Sequence, residues 1–151
     1  MAEAVLAHRL SKAGLDHLVS VESAGTGGWH VGRGADPRTR AALAHAGYDA
    51  GHIARQFQPS WFEQADLVLG MDYSNVQDLR GMAPDDDAAI KVLMLRSFDP
   101  AFMHLPEDDP VLEIPDPYYG GEPDFDEALA MIEFSVDGVI DYIRLHLPDS
   151  P

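Results

Sequence analysis

Asp116 is the carboxylate in this chain placed most suggestively for chemistry. It stands between Pro115 and Pro117, followed by Tyr118, Tyr119 and Gly120. A proline on each side stiffens the backbone, and aromatic neighbours would strip water from the carboxyl and raise its pKa. The residues leave two readings open: a poised acid, or an Asp that starts a turn before Gly120. Two further clusters invite chemistry and offer little. The run Gly25-Thr26-Gly27-Gly28 has neither a dinucleotide fingerprint nor a Gly-Lys-Ser/Thr ending, so it is a poor nucleotide cradle. The seven His residues show no ligand spacing, and Asp85-Asp86-Asp87 and Glu107-Asp108-Asp109 lack the calcium-loop pattern. No metal or cofactor is expected.

The chain contains no Cys. Disulfides, zinc thiolate sites and any thiolate nucleophile from these residues are therefore excluded. The remaining composition narrows the class. There are 151 residues, 46% hydrophobic and 24% charged, with 10 Lys plus Arg against 26 Asp plus Glu and a net charge of −16. This length suits a single domain, 1–151, that hides roughly 70% of its unfolded surface. A surface so acidic repels phosphate backbones and anionic lipids, so neither nucleic acid nor membrane is an expected partner. No apolar run of membrane-spanning length and no secretory leader is present, which makes the cytoplasm the expected location.

The elements that must position these residues alternate between helix and strand. Residues 2–13 read as a helix with Gly14 just past its end. Leu18–Ser23 alternates like a strand. Asp36-Pro37 opens a second helix that ends at Gly47. Pro59–Gln64 is a short helix bearing Trp61 and Phe62. Leu67–Met71 and Ile90–Leu95 read as strands, with Asp72 capping a helix over about 73–81 between them. Pro84–Asp87 reads as an acidic surface turn. Residues 97–121 form a long Pro- and Asp-rich connection without structure of its own. Asp124 then caps the last helix with Glu127 in capping-box position. Phe125, Leu129, Ile132, Val136, Val139, Ile140 and Ile143 make that helix's apolar stripe. The alternation predicts an α/β fold, a doubly wound parallel sheet with helices on both faces. One feature is discordant: the chain opens inside a helix with no strand before it.

The sequence resembles the low molecular weight protein tyrosine phosphatases. The matching stretches, in family order, are 1–5, Ser23-Ala24-Gly25-Thr26-Gly27-Gly28-Trp29-His30-Val31-Gly32, Asp36-Pro37-Arg38, residues 52–57, residues 71–75, residues 95–100 and Asp116-Pro117-Tyr118-Tyr119-Gly120. The last is the most specific. The resemblance implies a three-layer doubly wound parallel sheet and hydrolysis of phosphotyrosine, on proteins or small aryl phosphates, through a cysteinyl-phosphate. It makes Asp116 the general acid, places Trp29, Tyr118 and Tyr119 at the substrate mouth, and gives Ser23, His52 and Asp72 supporting roles around the phosphate loop. His30 falls at a variable position.

The family pattern begins earlier, with a strand and a Cys-x5-Arg-Ser-Pro loop that these residues do not contain. The expectation is a truncated domain whose first and central strand is absent, inactive as given. It should be of low stability, with a gap or altered pairing beside Leu67–Met71 and exposed sheet edges prone to self-association. Ser23 and His52 would then have lost their phosphate-loop partners. A non-catalytic phosphotyrosine-binding remnant is the second reading. An arsenate reductase is the third, disfavoured because its chemistry also needs thiolates.

Overall fold

A computed structural model describes residues 1–26, 32, 34, 36–49, 51 and 55–147, leaving aside the side chain of Tyr119. Along the chain lie α1 (Ala2–Lys12), α2 (Pro37–His45), β1 (Val68–Gly70), α3 (Tyr73–Met82), α4 (Asp86–Ala89), β2 (Val92–Met94) and α5 (Glu122–His146). Strands β1 and β2 pair in parallel, with Val68 opposite Val92 and Gly70 opposite Met94. Between them runs α3, the right order for a crossover connection.

Side-chain alternation sorts the two faces of this sheet. Val68, Val92 and Met94 point into a cluster with Phe62, Val76, Leu79 and Leu112, on the side of α3. Leu67, Leu69, Met71 and Leu93 point to the other side, where Val5 and Leu10 of α1 meet Leu129, Ile132, Val136, Val139 and Ile140 of α5. Helices thus cover both faces, the three-layer α/β arrangement. The expected stripe on α5 is buried from Phe125 to Ile140, with Ile143 half-buried at its end.

Helix ends follow local chemistry. Asp36 caps α2 by accepting from the Arg38 amide at 2.8 Å, with Pro37 in the first turn. Asp72 accepts from the Asn75 amide at 2.7 Å, and the Asn75 side chain returns the bond to the Asp72 amide. Helices α1 and α2 both close in a Schellman motif. The bonds are Leu15 N–H to Leu10 O and Gly14 N–H to Ser11 O in α1, and Tyr48 N–H to Leu43 O and Gly47 N–H to Ala44 O in α2.

Four expectations are corrected. First, Leu18–Ser23 forms no strand ladder: Leu18 closes a turn onto Leu15, and the residues after it are extended without sheet partners among the described residues. They keep the alternation, with Val19, Val21 and Ser23 half-buried and Ser20, Glu22 and Ala24 exposed. The side-chain pattern is local to the segment, whereas a ladder needs a neighbouring strand to bond to. Among the described residues, the pairing beside the segment is an isolated parallel bridge between Gly25 and Gln56. Correspondingly, the edge of β1 away from β2 carries no third strand among the described residues. Second, α5 begins at Glu122, not after Asp124. Asp124 sits at the third helical position and its Oδ2 accepts from the Gly121 amide at 2.7 Å, so it caps the helix from inside. Third, the long connection is not structureless. Tight 3-10 turns form at Leu95–Phe98, Pro110–Leu112 and Pro117–Tyr119, the last two capped by Asp109 and Asp116. Fourth, the acidic turn continues into α4, with Asp85 accepting from the Ala88 amide at 2.8 Å.

Candidate active site

The turn carrying Asp116 is built from its own residues. Pro117 fixes φ at the first position of a 3-10 turn, and Asp116 Oδ1 accepts from the Tyr118 amide at 2.9 Å. Gly120 N–H then bonds to Pro117 O at 2.9 Å. A Cβ on Gly120 would stand 2.1 Å from Asp124 Oδ2, so the glycine keeps the cap of α5 in place. The Asp116 carboxyl is exposed, and the desolvation expected from its aromatic neighbours is not found. Of the two residue-level readings of Asp116, the turn is observed: its Oδ1 accepts from the Tyr118 amide, and the carboxyl faces water. Tyr118 is 49% exposed at the mouth of this turn.

Next to this turn, a cleft of about 280 Å³ runs along α5, lined by Asp116, Asp124, Glu127, Ala128 and Met131. Three carboxylates around so small a space repel an anion. A phosphoryl group would not settle in the cleft itself, and any anion brought to Asp116 must be held from another side.

Arg38 was not foreseen from the sequence as a site residue. From the first turn of α2 its Nη2 donates to Tyr118 O at 2.7 Å and its Nη1 to Gly120 O at 2.9 Å. Nε and Nη2 also reach the two oxygens of Asp36, each at 3.3 Å. The guanidinium carbon lies 4.7 Å from the Phe125 ring centre and 5.7 Å from that of Tyr118. Hydrogen bonds from the Arg38 side chain and amide hold the Asp36 carboxyl below the usual range, and Asp36 in turn raises Arg38. The only advance signal was the Asp36-Pro37-Arg38 triplet.

The supporting residues lie elsewhere. Ser23 is half-buried and donates from Oγ to Glu3 of α1, so it is not the partnerless hydroxyl that was expected. Glu3 also pairs with Arg55 at 3.8 Å. That carboxylate ties the first turn of α1, where negative charge is favourable, to the two segments joined by the Gly25–Gln56 bridge. Asp72 is committed to capping α3. Trp29 and His52 lie outside the described residues, and of Tyr119 only the backbone turn is described. Among the described residues no group of His, Asp and Glu is arranged to hold a metal ion, and no helix is long and apolar enough to cross a membrane.

Comparison with known proteins adds what the geometry alone does not. The family model described as low molecular weight phosphotyrosine protein phosphatase matches residues 1–146. The chain belongs to that family. A low molecular weight protein-tyrosine-phosphatase of Streptomyces coelicolor is 51% identical over 144 residues, which are 95% of this chain and 85% of the relative. Low molecular weight protein-tyrosine phosphatase A of Mycobacterium tuberculosis is 39% identical over 143 residues, covering 95% of this chain and 82% of its own. Among solved structures, a protein tyrosine phosphatase from Entamoeba histolytica, with Hepes in its active site, superposes with a TM-score of 0.86 at 28% identity. It covers 95% of this chain and 87% of that one. YfkJ of Bacillus subtilis superposes at 0.81 with 27% identity, over 97% and 87%. The family membership supports a protein-tyrosine phosphatase function of the hydrolase class, acting on phosphotyrosine.

Proposed function

We propose that this protein serves phosphotyrosine hydrolysis with Asp116 as the acid that protonates the departing phenol oxygen. The observation that carries the reading is the fixed, solvent-facing turn Asp116–Gly120 within a chain that matches the family from residue 1 to 146. A phenol has a pKa of about 10, so a phenolate leaves slowly at neutral pH unless a proton is delivered to it. An exposed carboxyl on a stiff turn, beside an exposed tyrosine ring, suits that delivery. Trp29, Tyr118 and Tyr119 hold the aromatic ring of the substrate, a tyrosine-phosphorylated protein or a small aryl phosphate. Ser23, His52 and Asp72 support the phosphate site. The domain is single, cytoplasmic and needs no cofactor.

The 151 residues supply no thiolate, and three carboxylates line the cleft beside Asp116. In this reading they cannot form the phosphoenzyme by themselves, because a general acid without nucleophile or phosphate cradle has nothing to displace. The test is hydrolysis of p-nitrophenyl phosphate and phosphotyrosine by the 151-residue chain and by the same chain preceded by a strand and a Cys-x5-Arg-Ser-Pro loop. The shorter protein should be silent. The longer one should turn over and lose roughly 10²- to 10⁴-fold in kcat on phosphotyrosine when Asp116→Asn is introduced. Turnover by the pure Cys-free chain, or an Asp116→Asn variant of full activity, overturns the assignment.

A further inference from the structure

The acid-bearing turn is exposed, and exposed loops wander unless something holds them. Among the described residues, the turn and its junction with α5 are closed by local amide bonds: Tyr118 to Asp116, Gly120 to Pro117, Gly121 to Asp124 and Asp124 to Gly121. None of them ties the turn to α2 across from it. Arg38 does. Its two terminal nitrogens donate to the carbonyls of Tyr118 and Gly120, one on each side of Tyr119. Its guanidinium is oriented from behind by Asp36, whose place is itself fixed by capping α2. The plane lies against buried Phe125 at the start of α5. One side chain of α2 thus joins the turn and the start of α5, about 80 residues away in sequence.

We propose that Arg38 is a positioning residue, the latch that fixes the turn 116–120 and through it the placement of Asp116 and the Tyr118 ring. The physics favours arginine over lysine here. A planar fork satisfies two carbonyls and a carboxylate at once, whereas an ammonium is a point donor that cannot span them in one plane. The catalytic half of the inference rests on Asp116 being the acid. The structural half does not.

Amide hydrogen exchange by NMR in the 151-residue protein tests the structural half. Arg38→Ala should speed exchange at Tyr118, Gly120 and Gly121 by tenfold or more, with the amides of buried α5 residues such as Val136 unchanged. Arg38→Lys should restore only part of the protection. Unchanged exchange at those three amides in Arg38→Ala overturns the latch, and uniform acceleration through α5 overturns it in favour of a general packing role. The catalytic half uses the chain carrying the phosphate loop. Arg38→Ala should lower kcat at least tenfold, raise KM as the Tyr118 ring is released, and cost little further in kcat once Asp116→Asn is present, because both changes then remove the same proton delivery. A full loss on top of Asp116→Asn overturns positioning of the acid. If the longer chain is inactive, the proposed hydrolysis fails while the exchange result still decides the latch.

Discussion

Gly138 lies in the middle of α5, where a glycine ordinarily costs about 1 kcal/mol relative to alanine. Its presence is explained by the 3-10 turn Leu95–Phe98, which packs its backbone onto the helix at this point. A Cβ on Gly138 would stand 1.7 Å from the carbonyl oxygen of Phe98 and 2.7 Å from its carbonyl carbon. Since carbon–oxygen contacts of this kind settle at about 3.3–3.6 Å, the turn would have to retreat by roughly 1.6–1.9 Å. It has little freedom to do so. Leu95 and Phe98 are buried among Val136, Val139 and Ile140, and the Phe98 ring meets Tyr142 edge-on at 5.3 Å. The obstacle is backbone, so no rotamer change relieves it. Overpacking of this kind costs about 3 kcal/mol or more, at the upper end of the usual range. Subtracting about 1 kcal/mol gained in helix propensity leaves Gly138→Ala less stable by about 2 kcal/mol. At this chain length that lowers Tm by roughly 6–8 °C. Gly81→Ala is the internal control. A Cβ there meets nothing within 4 Å and the backbone is helical, so the same chemical change should stabilise by up to about 1 kcal/mol. Urea unfolding followed by circular dichroism measures both. If Gly138→Ala is as stable as the parent, or shifts in the same direction as Gly81→Ala, the close packing of α5 on Leu95–Phe98 is not as described.

Two other perturbations probe different physics. Gly47 ends α2 at φ +89°, so Gly47→Ala should cost about 1–2 kcal/mol by urea midpoint, although its Cβ would meet nothing. An unchanged midpoint would show that the Schellman closure is not held. Burial, and then the hydrogen bond from its hydroxyl to Glu133 at 2.7 Å, raise the pKa of Tyr48, with Arg9 pulling the other way. A raised folded-state value means the contribution is whole below the unfolded pKa of about 10 and is lost as pH climbs through the folded value. Alkaline difference spectroscopy should therefore show one tyrosine ionising last, together with a loss of structure. The late step should vanish in Tyr48→Phe, and its persistence there would assign it elsewhere.

What could be read from the sequence follows a physical line between local and non-local bonding. The caps at Asp36 and Asp72, the glycines after α1 and α2, and the stripe of α5 each depend on neighbours within four or five residues, and each lies where its residues indicated. The segment 19–24 shows the other side of the line. Its alternation is present in the burial of Val19 and Val21, yet no ladder forms, because hydrogen-bonding partners for a strand come from another part of the chain. The start of α5 was misplaced for a subtler reason: Asp124 fits either as the residue before a helix or as an acceptor three residues inside it, and Pro123 is acceptable in the first turn of the longer helix. Arg38 was invisible as a site residue because its two carbonyl partners lie 80 and 82 positions away.

The same line divides the candidate site. Asp116 and Tyr118 depend on a turn that closes on itself and on one arginine from α2, and the chain enters that turn from buried Ile114, whose amide bonds to Met71 O just past β1 at 2.9 Å. Ser23 depends on long-range neighbours and is paired with Glu3, a carboxylate that needs no phosphate to satisfy it. A half-buried hydroxyl left unpaired would cost about 1–3 kcal/mol, and this bond removes the penalty. The Asp116 turn and the Ser23–Glu3 pair are therefore held by different groups. Adding a phosphate loop should compete with Glu3 for Ser23 while leaving the Asp116 turn unmoved. A chemical-shift map of the longer chain against the shorter one decides this, with changes expected around Glu3 and Ser23 and none at Tyr118 and Gly120. Shifts of equal size at both places would mean that the two halves are coupled after all.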